Sequence, residues 1–204
     1  MAGQKIVIPY LDYAYLGELA EGIIAKYHPS RQLPIPIDDI IDPRMQLDIF
    51  PLPGLTKATA ENDGIVAYVN SALTCITVDE DAWEAQTSRY RFSIAHELAH
   101  MVVHRNILGQ FHYGTVQEWQ QAMKAIPSQD YGRLEWQANS FAGHLLMPTT
   151  ELRSNFESIR NKIIEQTNIN PDDEGVRLII EKRLADIFGT SSMTAHIRLE
   201  KEGF

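Results

Sequence analysis

The sequence predicts an α+β fold in which a few short strands come first and helices follow. Three observations carry that expectation. Residues 64–78 hold two short runs rich in Ile, Val, Thr and Tyr, whereas from Ser88 onward apolar residues recur at helical spacing. Proline is concentrated between residues 31 and 60, as Pro34, Pro36, Pro43, Pro51 and Pro53, so only short elements fit there. The 204 residues are 44% hydrophobic and 22% charged, the balance of a globular chain able to bury one core.

The elements follow in order. Leu11 to Tyr27 carries Leu16, Leu19, Ile23 and Ile24 on one helical face, and His28-Pro29-Ser30 stops it. A short helix near Asp38–Ile41 and a strand near Met45–Phe50 fit between the prolines. Gly64–Asn70 and Leu73–Val78 read as two strands joined by a turn at Asn70-Ser71-Ala72. Ser88 to about Arg105 is apolar nearly all round, the mark of a helix buried at the centre of a domain. Val116–Ile126 is the next helix, and Tyr131–Met147, ended by Pro148, gathers Leu134, Ala138, Phe141, Ala142 and Leu145 on one face. Helices over Thr150–Gln166, Glu174–Phe188 and Ser191–Lys201 close the chain. We expect one domain over 1–204: an N-terminal helix and small sheet (1–87), active-site helices (88–148) and C-terminal helices (149–204).

Composition narrows the function classes. A formal net charge of −9 argues against an extended nucleic-acid surface. No apolar run approaches the roughly 20 residues that span a bilayer, and Met1 to Pro9 does not read as a leader. The lone cysteine, Cys75, excludes an internal disulfide framework and fits a reducing, cytoplasmic setting.

The chemistry is concentrated at residues 96–100, His-Glu-Leu-Ala-His. On a helix, i and i+4 share a face, so His96 and His100 can aim an imidazole nitrogen at one metal ion. Glu97 adjoins the first of them, where its carboxylate can take a proton from water at the metal. Set against this is a buried helix with two satisfied histidines and a surface glutamate. A glutamate and two histidines inside an apolar helix are expensive to bury without a metal or partners. A catalytic zinc site usually takes a third protein ligand and keeps a fourth position for water. Glu135, early in the third of these helices, is the best candidate, with Glu118 and Glu151 next. Asn139, four residues on, could hydrogen-bond the outer nitrogen of a ligating histidine. Small residues, Ala95 and Ala99 on one helix and Ala138, Ala142 and Gly143 on the other, would let the two axes approach.

The stretch from Arg89 through Tyr90-Arg91-Phe92-Ser93-Ile94-Ala95 to His96-Glu97-Leu98-Ala99-His100 resembles the active-site helix of the ImmA/IrrE metallopeptidases. Glu135-Trp136-Gln137-Ala138-Asn139-Ser140-Phe141-Ala142, closing on Leu145-Leu146-Met147-Pro148, resembles that family's second signature. The likeness extends over roughly residues 10–200; Ala99 stands where glycine is common, and the spacer from His100 to Glu135 is somewhat long. The resemblance implies a zincin-like fold, a small antiparallel sheet against the central helix, with one zinc ion per chain. It also implies a substrate class: a helix-turn-helix transcriptional repressor encoded nearby, cleaved to relieve repression in mobile-element, stress or defence systems. The alternative from another class is a zinc-containing module that sequesters a repressor or toxin without cutting it, although such a module has no need of a base at Glu97.

Further candidates surround the motif. His104 continues the row from His100, a turn beyond the metal, and could order the helix end or line the cleft. His112 and Tyr113 follow Gly109 in a loop that could supply an oxyanion donor. Either Arg89 or Arg91 could reach a substrate carbonyl or form a structural ion pair. Cys75 could offer an inhibitory thiolate, or be an ordinary buried strand cysteine.

Overall fold

The computed structural model describes residues 7–60, 64–166 and 173–204; residues 1–6, part of the stretch read for a leader, lie outside these. Helix α1 (Tyr13–Tyr27) starts where the Asp12 carboxylate accepts the Tyr15 amide at 2.8 Å, which satisfies one of the orphan donors of the first turn. It buries Leu16, Ala20 and Ile24 and ends at His28. The proline-rich stretch that follows forms a single short turn of helix, α2 (Ile37–Asp39), widened over residues 40–44 around Pro43, which has no N–H to give.

The sheet has three strands, β1 (Asp48–Leu52), β2 (Ala67–Val69) and β3 (Cys75–Asp79), in the order β1-β3-β2, with the short helix α3 (Leu55–Ala58) between β1 and β2. β2 and β3 pair antiparallel, as expected of a hairpin. β1 begins at Asp48, later than the sequence suggested, and lies parallel to β3, with Asp48 opposite Cys75 and Leu52 opposite Asp79. The sheet is therefore mixed and not wholly antiparallel. The reason is connection length: residues 53–74, which carry α3 and β2, are long enough for the crossover that a parallel pair needs. Pro51 is tolerated because β1 is an edge strand.

The rest is helical: α4 (Glu80–Ala85), α5 (Ser88–Val103), α6 (Arg105–Leu108), α7 (Val116–Lys124), α8 (Ser128–Leu146), α9 (Thr149–Gln166), α10 (Glu174–Phe188) and α11 (Ser192–Glu202). Thr87 caps α5, and Thr115 with Glu118 forms a capping box on α7. α5 buries Tyr90, Ile94, Ala95, Leu98, Ala99 and Met101, packs on β2 and β3, and lies along α8. One apolar cluster runs from Ile8 and Ala20 through Ile76, Val78, Leu98 and Phe141 to Leu199, with α5 and α8 at its centre. The architecture is the α+β arrangement expected, a small sheet against a central helix. Among the described residues no helix is long and apolar enough to cross a membrane.

Helix α8 also packs against α1, and Gly17 makes that approach possible. A Cβ there would stand 2.9 Å from Cε1 of His144, whose buried ring packs against Tyr13 at a tilt of 47° with centroids 4.3 Å apart. Gly22, in the same helix, would meet nothing within 4 Å. Alanine is favoured over glycine in a helix interior by about 1 kcal/mol, whereas overpacking costs roughly 1–3 kcal/mol. Chemical denaturation should therefore show opposite signs: Gly22→Ala more stable than wild type, Gly17→Ala less stable. Equal stabilisation by both would mean that α1 and α8 are not held this closely.

Candidate metal centre

The site is built where α5 and α8 lie side by side. His96 and His100 are one turn apart on α5, their ring centroids 4.7 Å apart and their Nε2 atoms 3.0 Å apart. Glu135 reaches across from α8 with both oxygens: Oε2 is 3.3 Å from Nε2 of His96, and Oε1 is 3.6 Å from Nε2 of His100. On the far side of each ring the other nitrogen is engaged. His96 Nδ1 donates to Asn139 Oδ1 at 2.9 Å, and His100 Nδ1 meets His104 Nδ1 at 3.0 Å. The two Nε2 atoms and the carboxylate thus converge on one point.

Glu97 also belongs to this group, since its carboxylate and the two imidazoles each offer an atom within 4.8 Å of the others. Two glutamates compete for the third place, and local geometry separates them. Glu135 spans both Nε2 atoms. Glu97 is buried, accepts the Val69 amide from β2 and keeps Oε2 without a partner among the described residues. A shallow cleft of about 280 Å³ opens beside it, lined by Ile65, Arg89, Phe92, His96, Trp119 and Asn139 among others.

Charge follows burial. Desolvation pushes the Glu97 carboxyl up to about 8; the neighbouring His96 opposes this and the Glu135 charge adds to it. Burial disfavours a charged His96, but the Glu135 and Glu97 carboxylates outweigh it and hold His96 above its ordinary value. His100 is held well below its ordinary value, first by burial and then by its histidine neighbours.

Of the remaining candidates, the fold brings some to the site and sends others elsewhere. His104 is buried against His100, and its Nε2 lies 2.9 Å from Gln137 Oε1. Tyr113 is buried beside the same strand as Glu97 and donates its hydroxyl to the Val69 carbonyl at 3.1 Å, so that hydroxyl is already committed. His112 is exposed in the loop. Arg91 turns away from the cleft: it donates to the carbonyls of Gly189 at 3.0 Å and Ile35 at 2.6 Å, which makes it a clamp between distant segments. Its neighbour Arg89 lines the cleft instead and donates to Gly64 O. Cys75 opens β3 beside Asp48, while the adjacent Ile76 and Val78 alternate into the core that α5 covers; strand alternation puts the thiol on the other face. Glu118 is spent on the Gly114 and Thr115 amides, and Glu151 on Arg31 at 2.5 and 2.8 Å. Neither is free to be the third ligand.

Two residues were missed from the sequence. Tyr131 hydrogen-bonds Glu135, which stands four residues on in α8; that spacing was the available signal. Gln137, fully buried, was passed over because it sits between two residues of the signature and carries no charge.

These blocks coincide with a known domain. The family model described as the IrrE N-terminal-like domain, a peptidase family, matches residues 75–200. No curated protein matches the chain. The matched span starts at β3 and includes both α5 and α8, more than half of the chain. The chain therefore belongs to the peptidase family of the IrrE N-terminal-like domain and has the α+β, zincin-like fold.

Proposed function

We propose that this chain is a zinc-dependent endopeptidase of narrow specificity, in which His96, His100 and Glu135 hold one ion and Glu97 is the general base. The observation that carries this is the donor set. A tetrahedral ion with bonds of roughly 2.0–2.1 Å separates its ligand atoms by about 3.3 Å. The two Nε2 atoms are 3.0 Å apart, and Glu135 offers one oxygen at 3.3 Å from His96 and the other at 3.6 Å from His100. Both rings have their Nδ1 atoms engaged elsewhere, so their Nε2 atoms and the carboxylate make a donor set that suits a zinc ion.

Zinc bound there would supply Lewis acidity toward a scissile carbonyl and make a water acidic enough to attack it. The protein's own part is to hold and move protons. Glu97 has one oxygen fixed by the Val69 amide and the other unpartnered, so it can accept a proton from the attacking water and return it to the leaving amine. Asn139 keeps the His96 ring turned so that Nε2 faces the centre. The family resemblance points to a helix-turn-helix repressor encoded beside this gene as the substrate, cut in the cytoplasm, where the Cys75 thiol stays reduced.

Elemental analysis of the purified protein should find about one zinc per chain. Glu135→Gln should weaken zinc binding by more than the roughly 10–100-fold typical of outer-shell changes, with the fold intact by circular dichroism. A wild type that neither carries nor takes up zinc rules the reading out.

Glu97→Gln keeps size and reach but removes the base. This variant should bind zinc and the repressor normally and cut it about 10²–10⁴-fold more slowly, a loss visible on a gel. If wild type and Glu97→Gln relieve repression equally in cells, with the repressor full length in both, the protein acts by sequestration.

A further inference from the structure

We infer that His104 and Gln137 are positioning residues for this centre, tying it to the N-terminal segment at Pro9 through a one-way chain of hydrogen bonds. The inference rests on the metal reading above and extends it to residues that touch neither ion nor substrate.

The chain is read from its far end. The Pro9 carbonyl can only accept, and Gln137 Nε2 donates to it at 2.7 Å. That fixes the orientation of the amide, so the opposite end, Gln137 Oε1, must accept from His104 Nε2 at 2.9 Å. His104 therefore carries its hydrogen on Nε2, and its Nδ1 is bare. His100 Nδ1 lies 3.0 Å from that bare nitrogen and must supply the hydrogen between them. His100 Nε2 is then unprotonated and faces His96 and Glu135. Two protonated rings would set N–H against N–H at this distance, and both rings are buried away from the water that a charge needs.

A ligating histidine usually gives its second N–H to a carboxylate, a carbonyl or water, which fixes its tautomer. Here the acceptor is another histidine, so the tautomer of His100 is only as certain as that of His104, and His104 depends on Gln137. His104 is 1% and Gln137 0% exposed, so the bonds from His100 to His104 and from His104 to Gln137 are shielded from solvent. Pro9 lies outside the residues that the family model matches, yet its carbonyl terminates the chain. The N-terminal segment is in this sense part of the metal centre.

The test uses full-length protein freed of metal. Long-range ¹H–¹⁵N spectra of the imidazoles should show His100 with its hydrogen on Nδ1 and His104 with its hydrogen on Nε2. Gln137→Leu and His104→Phe fill similar space without an acceptor. Both should lower zinc affinity by about 10–100-fold, and Gln137→Leu should also mix the tautomers of His100 although two hydrogen bonds separate it from that ring. A wild-type spectrum with hydrogen on His100 Nε2, or folded variants that bind zinc within about twofold of wild type, would overturn the inference. Should neither variant fold, the wild-type spectrum decides alone. A wild type that binds no zinc removes the metal reading instead, and the same spectrum still reports whether the chain sets His100.

Discussion

Two imidazole Nε2 atoms stand 3.0 Å apart beside a carboxylate, a concentration of polar groups that is costly to bury inside a protein. Much of this structure exists to hold that arrangement in place. α5 supplies two of the donors by helical periodicity alone, but the third must come from α8, and it arrives only if the two helices lie close. Ala95, Ala99, Ala138 and Ala142 are completely buried around the centre, and Gly143 leaves room for Arg198, whose Cδ a Cβ would approach to 3.0 Å. α8 is held in turn by α1, through the close passage of Gly17 past His144. The cost of concentrating polar atoms here is met by packing that begins far from it.

The sheet serves the same centre from the other direction. β2 is only three residues long, too short to add much stability by itself. Its Val69 is nevertheless committed on both sides, the amide to Glu97 and the carbonyl to Tyr113. Glu97 is thereby fixed by backbone from one element while its own helix fixes the histidines. A carboxylate tied to a strand backbone and imidazoles carried on a helix keep their relative positions better than groups on loops do.

What could be read from the sequence divides by range. The i, i+4 histidine pair, the glutamate between them and the helix that carries them are local facts, and periodicity is enough to read them. That Glu135 stands beside the pair depends on a second helix, and small residues on both faces indicate which one. Beyond that, local reasoning fails for physical reasons. The parallel placement of β1 depends on how a crossover closes, which no short window contains. Arg89 and Arg91 are two residues apart in a helix and so point to different sides, and which side is the cleft depends on Gly189 and Ile35, distant in sequence. Gln137 looked unremarkable because a neutral amide shows its value only by the two groups it joins.

The charge pattern leads to the same centre. Glu97 and Glu135 bring two carboxyl groups to a buried spot, and only imidazoles face them there. The protein's own response is to retain protons: His96 is held above its ordinary value, and the Glu97 carboxyl is pushed up to about 8. The Glu97 shift comes first from desolvation and the His96 shift from the carboxylates beside it, so two acidic groups are buried here with little positive charge against them. A single divalent cation would supply that charge at the point where the donor atoms converge. The tautomer chain through His104 and Gln137 adds the directional half of the argument, because it keeps the hydrogen of His100 on the side away from that point. Charge deficit and lone-pair direction have separate origins, one in burial and one in a hydrogen-bond chain anchored at Pro9, and both favour a cation in the same place.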